Sequence, residues 1–409
     1  MTPIRARIVI LGGGFAGLRA LYRLRSLGEK AEIILIDPRT TSLARPALPE
    51  VALAGKPVEL ARFALEQPVT RSGAQFINQG VDRVEPTEQR VVLDNGDEIA
   101  YDYLLMALGA NKDYDAIRGF REFGYSVCDD TEAPRLAEAL RAFEGGPVVV
   151  GSAKSVWGTR VSVPALAAPC EGPVAEIMFM LAHDLRERGL RSSSAIKVFS
   201  PGEIFFEDVG ARVHADVGAL ISREEIDVTT GKVLSHLEEG AVVFEDGDRW
   251  ESALSIVLPP YTGNAVVKRS AGLGDEQGFV PTDATMRHLD VQRVYAAGDG
   301  TALSMPKLGH IAVMQADIAS AALIRDVTGE GEIPEYRPEV FCIANRGGEQ
   351  ATLIYSNDLF GGPVDLTMSG AIAHLMKWGF DGYYFHTAGH LPPDLATEGL
   401  ELVLRELKN

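Results

Sequence analysis

The chain has 409 residues, 46% hydrophobic and 23% charged, which is the composition of a folded globular protein of roughly two to three domains at about 150 residues each, and too apolar for a disordered one. Its 57 acidic and 39 basic residues leave a net charge of −18, which argues against a nucleic-acid partner because DNA and RNA need a basic face. Three cysteines are an odd number and far too few for a disulfide-stapled scaffold.

The N-terminal residues 1–11 run directly into a strand-like segment, without the apolar stretch and cleavage site of a secretory signal. Residues 7–11 read as a strand. Gly12, Gly13 and Gly14 follow, then a helical pattern over 15–27 with Leu18, Leu21, Tyr22 and Leu24, ended by Gly28. Residues 32–36 are a second apolar strand closing on Asp37 and Pro38. This is a βαβ unit, which demands a parallel sheet. Residues 40–55, with Pro46 and Pro49, read as a loop, and residues 75–107 as antiparallel strands around the turn at 94–97. A second unit begins near 116: a helix over 131–143, a strand over 147–150 and a strong helix over 173–188. A third apolar strand over 294–297 runs into Gly298, Asp299 and Gly300, and a helix over 309–327 follows. The tail from 334 holds a cysteine-bearing strand, a break at Gly361, Gly362 and Pro363, and a helical pattern over 372–385. No uninterrupted apolar run reaches about 18 residues, so no spanning helix is expected.

Gly12, Gly14 and Gly17 stand in the spacing of a dinucleotide-binding turn. Gly12 permits the turn, Gly14 lets the backbone approach a pyrophosphate, and Gly17 lets helix and strand pack closely. The helix N-terminus offers free amides and the positive end of its dipole to phosphate. Asp37, twenty residues after Gly17, is placed to accept hydrogen bonds from an adenosine ribose.

Two later segments bear on which dinucleotide. Residues 101–110, Tyr-Asp-Tyr-Leu-Leu-Met-Ala-Leu-Gly-Ala, resemble the second flavin motif of flavoproteins with two dinucleotide-binding domains, with Leu108 where a threonine is usual. Residues 294–299 resemble their third motif, in which the position of Asp299 contacts the ribityl chain; a turn cap is the plainer alternative. The resemblance implies FAD, with contacts at Gly12, Gly14, Ala16, Gly17, Asp37, Val81, Ala107, Gly109, Gly298 and Asp299. Most such proteins bind NAD(P)H through a second glycine motif. Here the corresponding strand is followed by Gly151, Ser152, Ala153, Lys154, Ser155, Val156 and Trp157, so only the first glycine remains and the electron donor is not expected to be NADH.

The contexts of Cys128, Cys170 and Cys342 resemble the sulfide:quinone oxidoreductases, as do Arg45–Glu50 (Arg-Pro-Ala-Leu-Pro-Glu) and residues 306–310 (Pro-Lys-Leu-Gly-His). The likeness runs nearly end to end, and Cys170-x-Gly172-Pro173-x-x-Glu176 is its specific part. It implies that Cys170 and Cys342 form a redox pair on one flavin face, where sulfide attacks their disulfide or sulfur bridge and two electrons pass to the flavin C4a. Cys128 then helps release or carry the sulfur chain, and Glu176 acts as a base. Position 132, where relatives often have histidine, is Glu132. The start of the 173–188 helix is expected to favour a Cys170 thiolate. Arg45 and Pro46 also match cofactor contacts, and Lys307 matches the lysine facing the flavin pyrimidine. The plainer alternatives are inert buried cysteines, a solvated carboxylate at Glu176 and a surface lysine at 307. His310 is as readily a packed residue as a functional one.

The resemblance further implies a quinone on the opposite flavin face, with Ile343, Phe380, Tyr384 and Phe385 as candidate contacts, although ordinary tail core is an alternative. Residues 394–409 show a mildly acidic amphipathic pattern, so membrane attachment would rest on apolar insertion.

The expected fold is α/β, with two Rossmann-like dinucleotide-binding domains, the FAD domain being discontinuous, and a small C-terminal domain. The expected boundaries are 1–115 and 259–335 for the FAD domain, 116–258 for the second domain and 336–409 for the quinone and membrane-interface domain. The expected activity is FAD-dependent oxidation of sulfide to polysulfide or sulfur with reduction of a membrane quinone, without a metal. The expected setting is peripheral or monotopic at a membrane, otherwise cytoplasmic, with homo-oligomerisation open. The rivals are a type II NADH dehydrogenase, a flavocytochrome-c-type sulfide dehydrogenase and a non-catalytic flavin-binding sensor.

Overall fold

The computed structural model describes residues 5–164 and 166–391. Its first βαβ unit follows the hydrophobic pattern. The strand Ala6–Leu11 leads through three glycines into the helix Phe15–Leu24, which buries Leu18, Leu21, Tyr22 and Leu24. The helix stops earlier than the pattern, where a 3-10 turn over Arg25–Lys30 takes over. The strand Ala31–Ile36 returns parallel to the first, pairing Ile8 with Ile33 and Leu11 with Ile36. Five parallel strands make the sheet, in the order Val294–Ala296, Tyr103–Met106, Ala6–Leu11, Ala31–Ile36, Gln75–Ile77. Strands covered on both faces read as continuous apolar runs, which is why the central ones were visible.

Two expectations are corrected. Residues 40–55 are not a loop: Thr41–Leu43 pairs with Arg62–Ala64, and Leu48–Leu53 is a helix with Pro49 in its first turn, where the missing N–H costs no bond. Residues 75–107 are not all antiparallel. Gln75–Ile77 is a parallel edge strand, too short to show a period, and only Val81–Glu85, Arg90–Leu93 and Glu98–Ala100 form the antiparallel ribbon.

A second parallel sheet repeats the plan in the order Gly124–Tyr125, Leu254–Leu258, Val148–Ser152, Ile196–Phe199, Asp227–Thr229, again with a three-stranded ribbon, Leu234–Glu238, Ala241–Phe244 and Arg249–Glu251. The two chain crossings between the sheets pair with each other, Asn111–Lys112 against Tyr261–Thr262. The helix Gly172–Glu187 packs on the second sheet and is buried almost all round.

The C-terminal unit is an antiparallel meander, Val340–Gly347, Gln350–Ser356 and Asp365–Gly370, covered by the helix Ala371–His386. Side chains alternate along a strand. Phe341 and Ile343 therefore face the apolar cluster under the covering helix, and Cys342 faces the helix Gly172–Glu187. The amphipathic pattern over 394–409 lies outside the described residues.

Candidate active site

The glycine turn is built for close contact at two positions and for a ligand at the third. Gly12 has φ +101, and a Cβ there would lie 2.4 Å from the Ala107 carbonyl oxygen. A Cβ on Gly17 would lie 1.8 Å from the carbonyl oxygen of Gly12. A Cβ on Gly14 would meet nothing in the protein within 4 Å. The helix Phe15–Leu24 has no side-chain cap and no acid in its first turn, so its N-terminal amides and dipole remain for an anion. Asp37 is buried; its Oδ2 accepts the Gly13 N–H at 2.7 Å and its Oδ1 that of Arg39 at 2.8 Å, which leaves lone pairs on both oxygens. Val81 belongs to the same apolar cluster as Val9, Leu11 and Ile36 of the first two strands.

The third motif is anchored from behind by Gln315, which the sequence reading missed. This buried amide accepts the Gly298 N–H at 2.9 Å and the Thr301 hydroxyl at 3.1 Å. Ala16 lies 3.3 Å from the position of a Cβ on Gly298, so the two motifs meet there. The Asp299 carbonyl accepts the Lys307 Nζ at 2.7 Å, and no hydrogen bond to its carboxylate is made among the described residues. Lys307 is buried rather than at the surface. Its ammonium also donates to Thr301 O at 3.2 Å and sits 4.5 and 5.3 Å from the centroids of the Phe279 and Trp157 rings. Burial pushes its pKa down to about 7, with Asp299 opposing. The free helix end, the open position at Gly14 and the uncommitted Asp299 fit a dinucleotide with a polyhydroxyl chain.

The three cysteines are free thiols. Two converge: a Cβ on Gly172 would lie 3.4 Å from the Cys342 Sγ and 3.6 Å from the Cys170 Sγ, so one methyl-sized position touches both sulfurs. Cys128 stands apart from them, buried near Lys112, Ser126 and Tyr261, and Tyr261 lies within electrostatic reach of both Cys128 and Cys170. The expected thiolate at Cys170 is corrected. The Gly172 N–H does favour charge on the sulfur, but burial and the nearby Asp208 outweigh it and push the thiol well above its usual range. Burial, together with Glu176, holds Cys342 up at about 12, with Lys377 opposing.

Glu176 is buried, not solvated. Its Oε1 accepts the Asn345 N–H at 3.1 Å, and burial raises it to about 7, tempered by Lys377. Lys377 reaches in from the C-terminal helix and donates to the Pro46 carbonyl at 3.0 Å. On the other side of the pair, burial raises Glu171 to about 8 and Asp208 to about 6. Glu132 is held by Arg135 and Arg121. His310 is paired with Glu339 at 3.1 Å and packed on Phe341. Arg45 is exposed, within electrostatic reach of Lys112 and Tyr261.

The aromatic candidates split. Tyr384 is buried and stacked on Phe15, next to the glycine turn, at 5.0 Å between centroids, with Phe380 also stacked on it at 6.0 Å and Phe385 edge-on at 6.1 Å. Phe63, unforeseen from sequence, closes on Tyr384 at 5.6 Å. Ile343 belongs to the C-terminal cluster, on the strand face opposite Cys342.

A family model described as pyridine nucleotide-disulphide oxidoreductase matches residues 6–316. The chain belongs to that family. It is an oxidoreductase family of FAD flavoproteins, and FAD is the cofactor of the glycine-lined cleft. The sulfide-quinone reductase of Aquifex aeolicus is 24% identical over 97% of this chain and 95% of its own length. The mitochondrial sulfide:quinone oxidoreductase of Mus musculus is 27% identical over 82% of this chain and 74% of its own. The crystal structure of the Aquifex aeolicus sulfide:quinone oxidoreductase superposes with a TM-score of 0.85 at 22% identity, covering 97% of this chain and 95% of that one.

This member of the pyridine nucleotide-disulphide oxidoreductase family departs from its name at the second sheet. After Val148–Ser152 no helix begins among the described residues until Gly172, so no helix N-terminus stands at that strand to receive a second pyrophosphate. Gly151 is kept for packing, since a Cβ there would lie 2.4 Å from the Phe199 ring. The intervening segment instead crosses to the FAD side. Thr159 N donates to the Asp275 carboxylate at 2.8 Å, Arg160 pairs with Asp290, and Pro169 O accepts the Lys307 N–H at 2.8 Å. This crossing delivers Cys170 to Lys307.

Proposed function

We propose that the chain oxidises sulfide at Cys170 and Cys342 and reduces a quinone, as a sulfide:quinone oxidoreductase. The observation that carries this is the convergence of two thiols from distant segments on one point, beside the buried carboxylate of Glu176, with no second nucleotide helix among the described residues. The names of the two sulfide-oxidising relatives that match 97% and 82% of the chain agree with it.

The residues divide the work. With a disulfide between Cys170 and Cys342, attack by HS− on one sulfur makes a cysteine persulfide there and releases the other cysteine as a thiolate; the new S–S bond replaces the old one. The cationic Lys377 near Cys342 stabilises negative charge on that side, whereas Asp208 near Cys170 opposes it. Glu176, titrating near neutrality, both takes and returns a proton at the operating pH. Lys307, held by two carbonyls, would supply a positive charge to a bound flavin when protonated. FAD, held by the glycine turn, Asp37 and the Asp299 segment, would supply two-electron redox chemistry between the sulfurs and a quinone. The stacked Phe15, Tyr384 and Phe380 offer a quinone an aromatic wall.

Mixing the anaerobic holoenzyme with sulfide in a stopped-flow spectrometer is expected to bleach the flavin within the mixing experiment, while NADH leaves it oxidised. The reverse result would make the chain a type II NADH dehydrogenase.

The quinone is reached at a membrane surface. No helix among the described residues is long and apolar enough to cross a membrane. The C-terminal helix, however, carries five of the ten large apolar side chains left exposed among the described residues: Ile372, Leu375, Trp378, Phe380 and Tyr383, with Trp378 68% exposed. A contiguous apolar ridge with an interfacial Trp and Tyr suits shallow insertion, and a chain of charge −18 needs insertion rather than charge attraction. Leu375→Glu combined with Trp378→Glu is expected to abolish co-sedimentation with neutral phosphatidylcholine vesicles; retention of binding would place the contact elsewhere.

A further inference from the structure

Behind the sulfur pair lies a cavity of about 250 Å³ between the helices Leu48–Leu53, Gly172–Glu187 and Ala371–His386 and the end of the strand Val340–Gly347. Glu50, His183, Asp184, Glu187, Asn345 and His374 line it. Asn345 is 4% exposed, and neither its side-chain oxygen nor its nitrogen finds a hydrogen-bond partner among the described residues. The buried Nδ1 of His374 has none either. Unpartnered polar atoms around a space this large call for water, and the volume holds several molecules at about 30 Å³ each. The wall is one bond from the site, because the backbone N–H of the same Asn345 donates to Glu176.

We propose that this cavity is the exit for protons removed from sulfide at Cys342, passing from Glu176 through water oriented by Asn345 to His374 and solvent. The inference rests on the sulfide-oxidising function proposed above. Oxidation of HS− to the sulfur level releases one proton for every two electrons, and the sulfurs are buried. At each step the S–H bond breaks as the Glu176 carboxylate takes the proton and the electron pair stays on sulfur. The carboxylic acid then gives that proton to cavity water, and His374 accepts it at Nδ1 while releasing one from Nε2. An amide cannot carry a net proton, so Asn345 is a positioning residue. The rim decides between a proton route and an anion route. Glu50, paired with Lys56, and Asp184, paired with Arg188, join Glu187, which makes no ion pair among the described residues, in a surface that repels HS− and polysulfide. Lys377 and Asp381 face Glu176 from the C-terminal helix and complete its charged surroundings.

The test uses the FAD-loaded chain with His374→Ala and, separately, Asn345→Leu. In both, the limiting rate of flavin bleaching at saturating sulfide is expected to fall about tenfold with the half-saturating sulfide concentration unchanged. Added imidazole should restore His374→Ala but not Asn345→Leu. After reduction of the cysteine pair, the pH profile of Cys342 alkylation by iodoacetamide should stay that of the parent in His374→Ala, because a relay sets the speed of proton departure and not its equilibrium. An unchanged limiting rate in His374→Ala, or a loss confined to the second-order sulfide term, overturns the proposal, the latter making the cavity a sulfide entrance. If Asn345→Leu fails to retain FAD, His374→Ala decides alone. If sulfide does not bleach the parent enzyme, it is the proposed function that fails.

Discussion

Cys342→Ser is expected to slow sulfide-driven flavin bleaching by about 10³-fold or more while leaving FAD bound. A hydroxyl cannot form the sulfur–sulfur bond on which the exchange depends, and losing one member of a unit costs nearly the whole effect. The exchange is nearly isosteric, and residue 342 keeps its pairing with Ile354, so the sheet is not disturbed. Cys170→Ser should give the same loss because both sulfurs border one point. Cys128→Ser should retain bleaching, since Cys128 faces Lys112 and Tyr261 instead. Anaerobic stopped-flow traces in the visible absorption band of the flavin measure all three; bleaching at the parent rate in Cys342→Ser removes the pair from the reaction.

Gly17→Val is expected to yield a protein without flavin and with a large loss of stability, above about 4 kcal/mol. The added Cβ would lie 1.8 Å from a backbone oxygen, that of Gly12, which no side-chain rotation can relieve. Gly14→Ala should behave differently. Its Cβ would meet nothing in the protein, so the fold should keep its melting temperature without cofactor and lose only FAD affinity. Calorimetry of the two apoproteins, with the flavin spectrum after gel filtration, separates a glycine kept for packing from one kept for a ligand. Equal melting temperatures would show that the turn can give way at Gly17.

The sequence made the βαβ units legible because strands covered on both faces are unbroken apolar runs and because glycines punctuate their turns. It made the motif around Cys170 and Glu176 legible because both lie on one short segment. It did not show what fills the space around them. Lys377 was hidden in an apolar helical run, where only an isolated basic residue marked it, and Gln315 looked like any polar residue of a helix. Asp208 and Tyr261 sit on loops and short strands whose approach to the cysteines depends on tertiary packing. The short edge strand Gln75–Ile77 and the helix Leu48–Leu53 escaped because three residues show no period and two prolines imitate a loop. The thiolate expected at Cys170 failed for a similar reason: position on a helix is local, whereas burial and Asp208 are set by the rest of the fold.

The bond between Asn345 and Glu176 spans 169 residues of sequence. During synthesis, therefore, the segment bearing Cys170 emerges long before its sulfur partner and the lysine that stands beside it. The nascent chain up to the second sheet holds Cys170 without the cysteine it converges on. The meander that follows closes the site only after both sheets have left the ribosome, so on the proposed function sulfur chemistry switches on as a late event of maturation, and a chain arrested before residue 340 is expected to be inert toward sulfide.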